Sequence, residues 1–239
     1  MTVAKVKLWG KQIGAVSWDD NLEVANFEYV PEFVGSGIEV SPFMMPVNKR
    51  IYSFGALPRP TFYGLPGMLA DCLPDDFGNQ LINVWLLNQG RLIESVNPVE
   101  RLCYVGKRGM GALEFEPAET LNSVSEELDI DALITISNDI LNYKNRIKGS
   151  FSTDFREQTL HNILSVGTSA GGARAKAIIA WNPKTNEVRS GQINHDSNFS
   201  YWLLKFDGIS ENNQLSGTKG YGLIEYAYYL MAKSAGITM

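Results

Sequence analysis

Ser165-Val-Gly-Thr-Ser-Ala-Gly-Gly-Ala-Arg-Ala-Lys176 is the stretch on which the reading of this 239-residue chain turns. It holds three glycines, Gly167, Gly171 and Gly172, and two cations, Arg174 and Lys176. Ile163-Leu164 precede it and the extended run Ala177-Ile-Ile-Ala-Trp181 follows. Without a Cβ, glycine lets successive backbone N–H groups turn toward one point and form a concave anion site. Ser169, Ala170, Gly171, Gly172, Ala173, Arg174 and Lys176 are therefore candidates for cradling nucleotide phosphates. The same residues also suit a plain flexible hairpin loop, because short glycine motifs often match by chance. The neighbouring segments have to decide.

Downstream, Asn182-Pro-Lys-Thr-Asn186 is a turn signal between two β-like runs, Ala175–Trp181 and Glu187–Ile193, which should pair antiparallel. Phe199–Phe206 reads as a third strand, with Tyr201, Leu203 and Lys205 on one face and Trp202 and Leu204 on the other. Lys219 to Ser234 has helical spacing, with Ile224, Ala227/Tyr228 and Met231 on one side and Gly236 as its stop. A glycine loop, a strand with a lone Lys205 and a helix with a lone Glu225 follow one another in the order of a protein-kinase N-lobe. In that arrangement the strand lysine meets the α- and β-phosphates and the helix glutamate holds it. A carboxylate keeps such a lysine charged and aimed in a partly dry pocket. Alternatively, Lys205 is a solvated edge-strand lysine and Glu225 a surface residue. Neither a Gly-x-x-x-x-Gly-Lys-Ser/Thr loop nor a Gly-x-Gly-x-x-Gly fingerprint occurs, which disfavours P-loop NTPases and Rossmann dehydrogenases.

Upstream, Ser123-Val-Ser-Glu126 fits a capping box before apolar residues at helical spacing, so residues 125–148 read as one long helix or two short ones. Gly149–Thr153 is a loop and Asp154–Asn162 a further helical segment. Val3–Val16 reads as a hairpin turning at Gly10-Lys-Gln, with Trp9 and Trp18 as packing aromatics. Ala25–Tyr29 and Ile51–Phe54 are strands, and Ile38, Val40 and Pro42–Pro46 form another extended piece. Pro66 should open a short helix over Gly67–Cys72. Asn79 should cap a helix that buries Leu81, Trp85 and Leu86–Leu87 and stops at Gly90, and Pro98 should begin another that runs to Gly106. Gly111–Phe115 returns to a strand. Asp71, Asp75 and Asp76 could be offered as a metal site, but turn and cap duty is the commoner role for such aspartates. The fold class is α+β. Residues 1–120 form a small β-rich subdomain, 121–148 a connecting helix, and 149–239 an antiparallel sheet with a helix.

Composition narrows the function classes. An apolar share of 44% and a charged share of 20% are ordinary for a folded soluble protein. A net charge of −5 gives no support to a broad nucleic-acid surface. Two cysteines, Cys72 and Cys103, and two histidines, His161 and His195, make neither a disulfide framework nor zinc-ligand spacing. With no signal-like N-terminus and no membrane-length apolar run, the sequence reads as cytosolic.

Three segments together resemble the HipA-like serine/threonine kinases, toxins of bacterial toxin–antitoxin modules. They are Gly64-Leu-Pro-Gly-Met-Leu-Ala-Asp-Cys-Leu-Pro-Asp-Asp-Phe-Gly78, Met110-Gly-Ala-Leu-Glu-Phe115, and Ser169–Lys176 with the Lys205 strand and Glu225 helix beyond it. The resemblance covers nearly the whole chain. It implies ATP and Mg²⁺ as cofactors, phosphorylation of a protein substrate, in some members an aminoacyl-tRNA synthetase, and a helix-turn-helix (HipB-like) antitoxin as partner. It also implies that Ser169 is the loop serine such kinases autophosphorylate to switch themselves off; a phosphate there adds roughly −2 charge where those of ATP must sit. The catalytic Asp and the Mg²⁺-binding carboxylate of the family lie in a helical C-terminal lobe, after the helix that closes this sequence. No His-Arg-Asp segment is present, and no Asp-Phe-Gly segment follows the glycine-rich stretch. The expectation is an N-terminal portion that phosphorylates nothing by itself. The competing expectation is a stand-alone antitoxin-docking or regulatory module that borrows an N-lobe fold. An ATP-using enzyme of small-molecule metabolism would need a complete acid/base set, and none is evident.

Overall fold

The computed structural model describes residues 2–109, 111–117, 128–142, 176–192, 194–206 and 220–238. These fall into two compact units, one containing residues 2–117 and the other residues 128–238. The architecture is α+β, with antiparallel sheets in both units. The expected features at 123–126, 149–153 and 154–162, and the glycine-rich stretch up to Ala175, lie outside the described residues.

The first unit is a five-stranded sheet, β1 (Val3–Leu8), β2 (Lys11–Asp19), β3 (Val24–Tyr29), β4 (Ile51–Ser53) and β5 (Leu113–Glu116), ordered β4-β3-β2-β1-β5. Its opening turn holds Trp9 at φ 50 and Gly10 at φ 75, the two left-handed positions of a tight hairpin. That turn corrects one expectation: Trp9 is 74% exposed at the tip, and only Trp18 packs. Register places Val6 opposite Gly14 and Phe115, and Val16 opposite Ala4 and Phe27. One face therefore gathers Ala4, Val6, Leu8, Val16, Trp18, Ala25, Phe27, Tyr29 and Phe115, all buried.

That face is covered by α3 (Gly67–Ala70) and α5 (Pro98–Val105), through Leu65, Leu69, Val99, Leu102 and Cys103. Pro98 begins α5 and Asn97 caps it, its Oδ1 accepting from the Glu100 N–H at 2.9 Å. Gly106 ends it at φ 56. Pro31 opens the short helix α1 (Pro31–Val34), and Arg59–Phe62 form a further one, α2. The expected extended piece around Ile38 and Pro42–Pro46 is turn and bend instead. Met45 is buried there, and its carbonyl accepts from the Tyr29 hydroxyl at 2.9 Å; Pro46 accepts from Tyr52. Phe43, 96% exposed, stands outside on this braced turn.

The helix expected to start at Asn79 starts earlier, as α4 (Asp76–Asn88), because Asp75 and not Asn79 caps it. Asp75 Oδ1 accepts from the Gly78 N–H at 2.7 Å, which accounts for this member of the acidic trio without a metal. Among the described residues, no group of three or more His, Cys, Asp or Glu could hold a metal ion. Phe77, Leu81, Ile82, Val84 and Leu86 are buried, whereas Leu87 faces out. The Arg101 fork of α5 ties α4 down, donating to Asn79 Oδ1 at 3.1 Å and Asn83 Oδ1 at 2.9 Å.

Arg108, just past α5, is less well served. Its Nη2 donates to the Tyr104 carbonyl, but its buried Nη1 finds no acceptor, and burial pushes the guanidinium pKa down to about 10. The folded pKa lies below the unfolded one, so burial destabilises wherever the unfolded side chain is protonated and is relieved only as pH rises through about 10. Arg108→Met is therefore expected to raise stability by about 1 kcal/mol, read as a higher denaturation midpoint at neutral pH. A lower midpoint would show that the guanidinium supports the fold.

The second unit contains α6 (Ile130–Asn142), β6 (Lys176–Asn182), β7 (Glu187–Ser190), β8 (Ser200–Lys205) and α7 (Tyr221–Ser234). Its three-stranded antiparallel sheet runs β7-β6-β8; the turn at Asn182–Asn186 led one to expect the pairing of β6 with β7, and the structure adds β8 on the other side of β6. The Leu128 N–H donates to the Val188 carbonyl at 2.7 Å, which anchors the entry to α6 on the edge strand β7. Ala177, Ile179 and Ala180 of the central strand are buried.

Candidate functional site

Lys205 ends β8 and Glu225 lies in the second turn of α7. The structure brings them together: Lys205 Nζ donates to Glu225 Oε2 at 2.8 Å. Strand alternation aims the lysine and the helix supplies the carboxylate, so the bridge is built by two elements and not by a local turn. The side chains are 51% and 52% exposed. As a structural contact alone, a pair this wet contributes only about 0.2–1 kcal/mol. What it does provide is an oriented ammonium group with two N–H donors still available to a ligand.

Lys176 is the first residue of β6 and pairs directly with Lys205 across the sheet. Opposed residues of an antiparallel pair share a face, so both lysines rise from one side with β-carbons about 4.5–5.5 Å apart. Lys176 is 7% exposed, its stem buried in the sheet. Like charges placed opposite each other are unfavourable in a sheet. A neighbouring anion offsets that cost, and Glu225 supplies one beside Lys205. Ile178, Tyr201 and Leu203 continue the same face, and Tyr201 and Leu203 are about half-exposed.

Of the residues read from the sequence as nucleotide contacts, Lys176, Lys205 and Glu225 are thus placed. Ser169, Ala170, Gly171, Gly172, Ala173 and Arg174 lie outside the described residues. The direct pairing of Lys176 with Lys205 was not anticipated; only the register of the two strands reveals it. The chemistry of the placed residues suits phosphate oxygens, because ammonium donors form strong charge-assisted hydrogen bonds to them. The three do not form a carboxylate cluster for a divalent ion.

The HipA N-terminal domain family matches residues 4–116. That part of the chain is similar to the HipA N-terminal domain. The match runs from β1 to the end of β5, so the similarity spans the five-stranded sheet of the first unit. It includes the Gly64–Gly78 segment, whose Leu65 and Leu69 pack on the sheet, and the Gly111–Phe115 part of the second quoted motif, which runs into the edge strand β5. In this first unit Leu65 and Leu69 sit in the core, and the Gly64 carbonyl accepts from the Ala25 N–H at 2.8 Å. No individual curated protein matches the chain. Among the described residues, no helix is long and apolar enough to cross a membrane.

Proposed function

We propose that the chain is the N-terminal portion of a HipA-like protein serine/threonine kinase. Its second unit would be the nucleotide-facing N-lobe and Lys205 the ammonium group that meets the ATP phosphates. The observation that carries this reading is the strand–helix ion pair between Lys205 and Glu225, following a HipA N-terminal domain. Lys205 binds and orients phosphate oxygens, and Glu225 holds the ammonium charged and in place. Lys176, on the same face, adds positive potential. ATP with Mg²⁺ supplies the transferable phosphoryl group. The glycine-rich stretch would cover the phosphates and Ser169 would be its autophosphorylation site. The partners on this reading are a protein substrate and a helix-turn-helix antitoxin, in the cytoplasm.

Titration of the purified chain with a fluorescent ATP analogue and Mg²⁺ tests the proposal. Saturable binding is expected, weakened at least tenfold by Lys205→Ala and less by Glu225→Gln, with circular dichroism unchanged. Absence of saturable binding, or identical binding by Lys205→Ala, would sink it. Phosphate transfer to added protein is not expected, because the sequence offers no His-Arg-Asp segment and no Asp-Phe-Gly segment after the glycine-rich stretch. The half-exposure of the ion pair favours a second reading, an antitoxin-docking module without nucleotide chemistry. Failure of ATP binding together with retained antitoxin binding would select it.

A further inference from the structure

On the face of the first sheet turned away from the core, lysines from two separate parts of the chain converge on one carboxylate. Lys5 of β1 stands directly opposite Glu116 of β5, and Lys7 opposite Glu114. Lys7 Nζ donates to Glu116 Oε1, and Lys107 brings its own Nζ to 3.9 Å from the same oxygen. Lys107 is fixed beside β5 because the preceding Gly106 carbonyl accepts from the Phe115 N–H at 3.0 Å. The hydrogen bond from Lys7 holds the Glu116 carboxyl below the usual carboxylate range, and the charges of Lys107 and Lys5 add to it. Three ammonium groups against one carboxylate leave two positive charges in excess. Lys7 alone has its acceptor. The Lys107 contact is too long for a hydrogen bond, and Lys5 makes no ion pair among the described residues.

These groups border an open cavity of about 590 Å³, lined by Val3, Lys5, Lys107, Glu116 and Pro117. We infer that this cavity binds a small organic phosphate monoester, its dianionic head held between the Lys5 and Lys107 ammonium groups and its apolar body laid on Val3 and Pro117. A phosphate monoester carries about −1.5 to −2 charge at neutral pH, which matches the local excess. Ammonium donors form strong charge-assisted hydrogen bonds to its oxygens. Val3 is 50% exposed and, with Pro117 and the lysine stems, gives the apolar surface a small-molecule site needs beside a few polar groups. Glu116 keeps Lys7 engaged and holds the like-charged lysines at one place. A long polyanion suits the face poorly. Glu28 lies in line with Lys5 across Ala15, and Glu114 stands opposite Lys7, so an extended chain of phosphates or acidic residues would meet carboxylates on leaving the cavity. The site lies wholly in the first unit and does not rest on the nucleotide reading of the second.

Calorimetric titration and amide chemical-shift mapping of the full chain with phenyl phosphate, at constant ionic strength, test the inference. Saturable binding is expected with a Kd of about 1 mM, and the shifts should fall on β1 and β5. Lys5→Gln and Lys107→Gln should each weaken it roughly three- to tenfold, with circular dichroism unchanged. Lys11→Gln, at the start of β2 and outside the cavity, should have no effect. Lys205→Ala should have none either, which separates this site from the proposed nucleotide contact. Phenyl sulfate lacks the second negative charge and inorganic phosphate lacks the apolar body; each should bind at least about threefold more weakly. Absence of saturation by about 20 mM, equal losses with Lys11→Gln, dependence on Lys205, or equally tight binding of phenyl sulfate or inorganic phosphate would each overturn the assignment.

Discussion

Replacing Gly64 with alanine is expected to destabilise the first unit by about 3 kcal/mol or more. Two costs coincide there. Gly64 sits at φ +79, where an L side chain is strained by about 1–2 kcal/mol. An added Cβ would also lie 2.5 Å from the Glu23 carbonyl oxygen and 3.0 Å from both Trp18 Cη2 and Arg59 Nη1. The carbonyl is backbone and cannot swing away, and Trp18 is itself a core residue. Relief would require moving the loop off β3, at the expense of the hydrogen bond from the Ala25 N–H to the Gly64 carbonyl. Gly10 is the matched control. Its φ of +75 is nearly the same, yet nothing lies within 4 Å of its Cβ position. Gly10→Ala should therefore show only the conformational cost, and the difference between the two variants in urea denaturation isolates the clash. Equal losses at both positions would refute the close-contact argument.

Phe27→Ala should cost about 3–5 kcal/mol. Phe27 is fully buried in the middle of β3, opposite Val16 on one side and Tyr52 on the other. Its ring meets Tyr29 edge-on, with centroids 4.8 Å apart. The ring also occupies the space above Gly14, where a Cβ would come within 2.5 Å of Phe27 Cζ. Truncation leaves a hole bordered by strand backbone, which is held by ladder hydrogen bonds on both sides and cannot collapse into it. For a unit of about one hundred residues, each kcal/mol lowers Tm by roughly 4–8 °C, so the variant should melt well over ten degrees below the parent. Calorimetry or far-UV circular dichroism of the full chain reads this directly. A loss under 1 kcal/mol would mean that β2 and β3 rearrange around the missing ring.

Much of the first unit was legible because its signals are local. Alternation in Ala25–Tyr29, Pro98 followed by Gly106, and the Gly10 turn each act within a few residues. The misreadings have equally physical causes. Trp9 is a large aromatic that composition assigns to a core, but it occupies a left-handed turn position whose side chain must point outward. Asn79 and Asp75 are both competent caps. Asp75 takes the role because its carboxylate reaches the Gly78 N–H, while Asn79 is used in holding Arg101 and the Pro74 carbonyl. The Pro42–Pro46 segment looked extended because apolar residues and prolines mimic an edge strand, yet two tyrosine hydroxyls from the sheet hold it as a turn.

The second unit divides in the same way. Strand and helix periodicity sufficed to put Lys205 on a strand and Glu225 on a helix, since alternation and the 3.6-residue repeat are properties of the chain itself. By itself, therefore, the sequence determined the α+β class and the secondary-structure setting of Lys205 and Glu225. Only the tertiary structure decided that Lys205 and Glu225 close to 2.8 Å and that Lys176 stands directly across from Lys205. Those facts depend on strand register and on which helix face meets the sheet, both set by contacts between residues far apart in the chain, which no local pattern encodes.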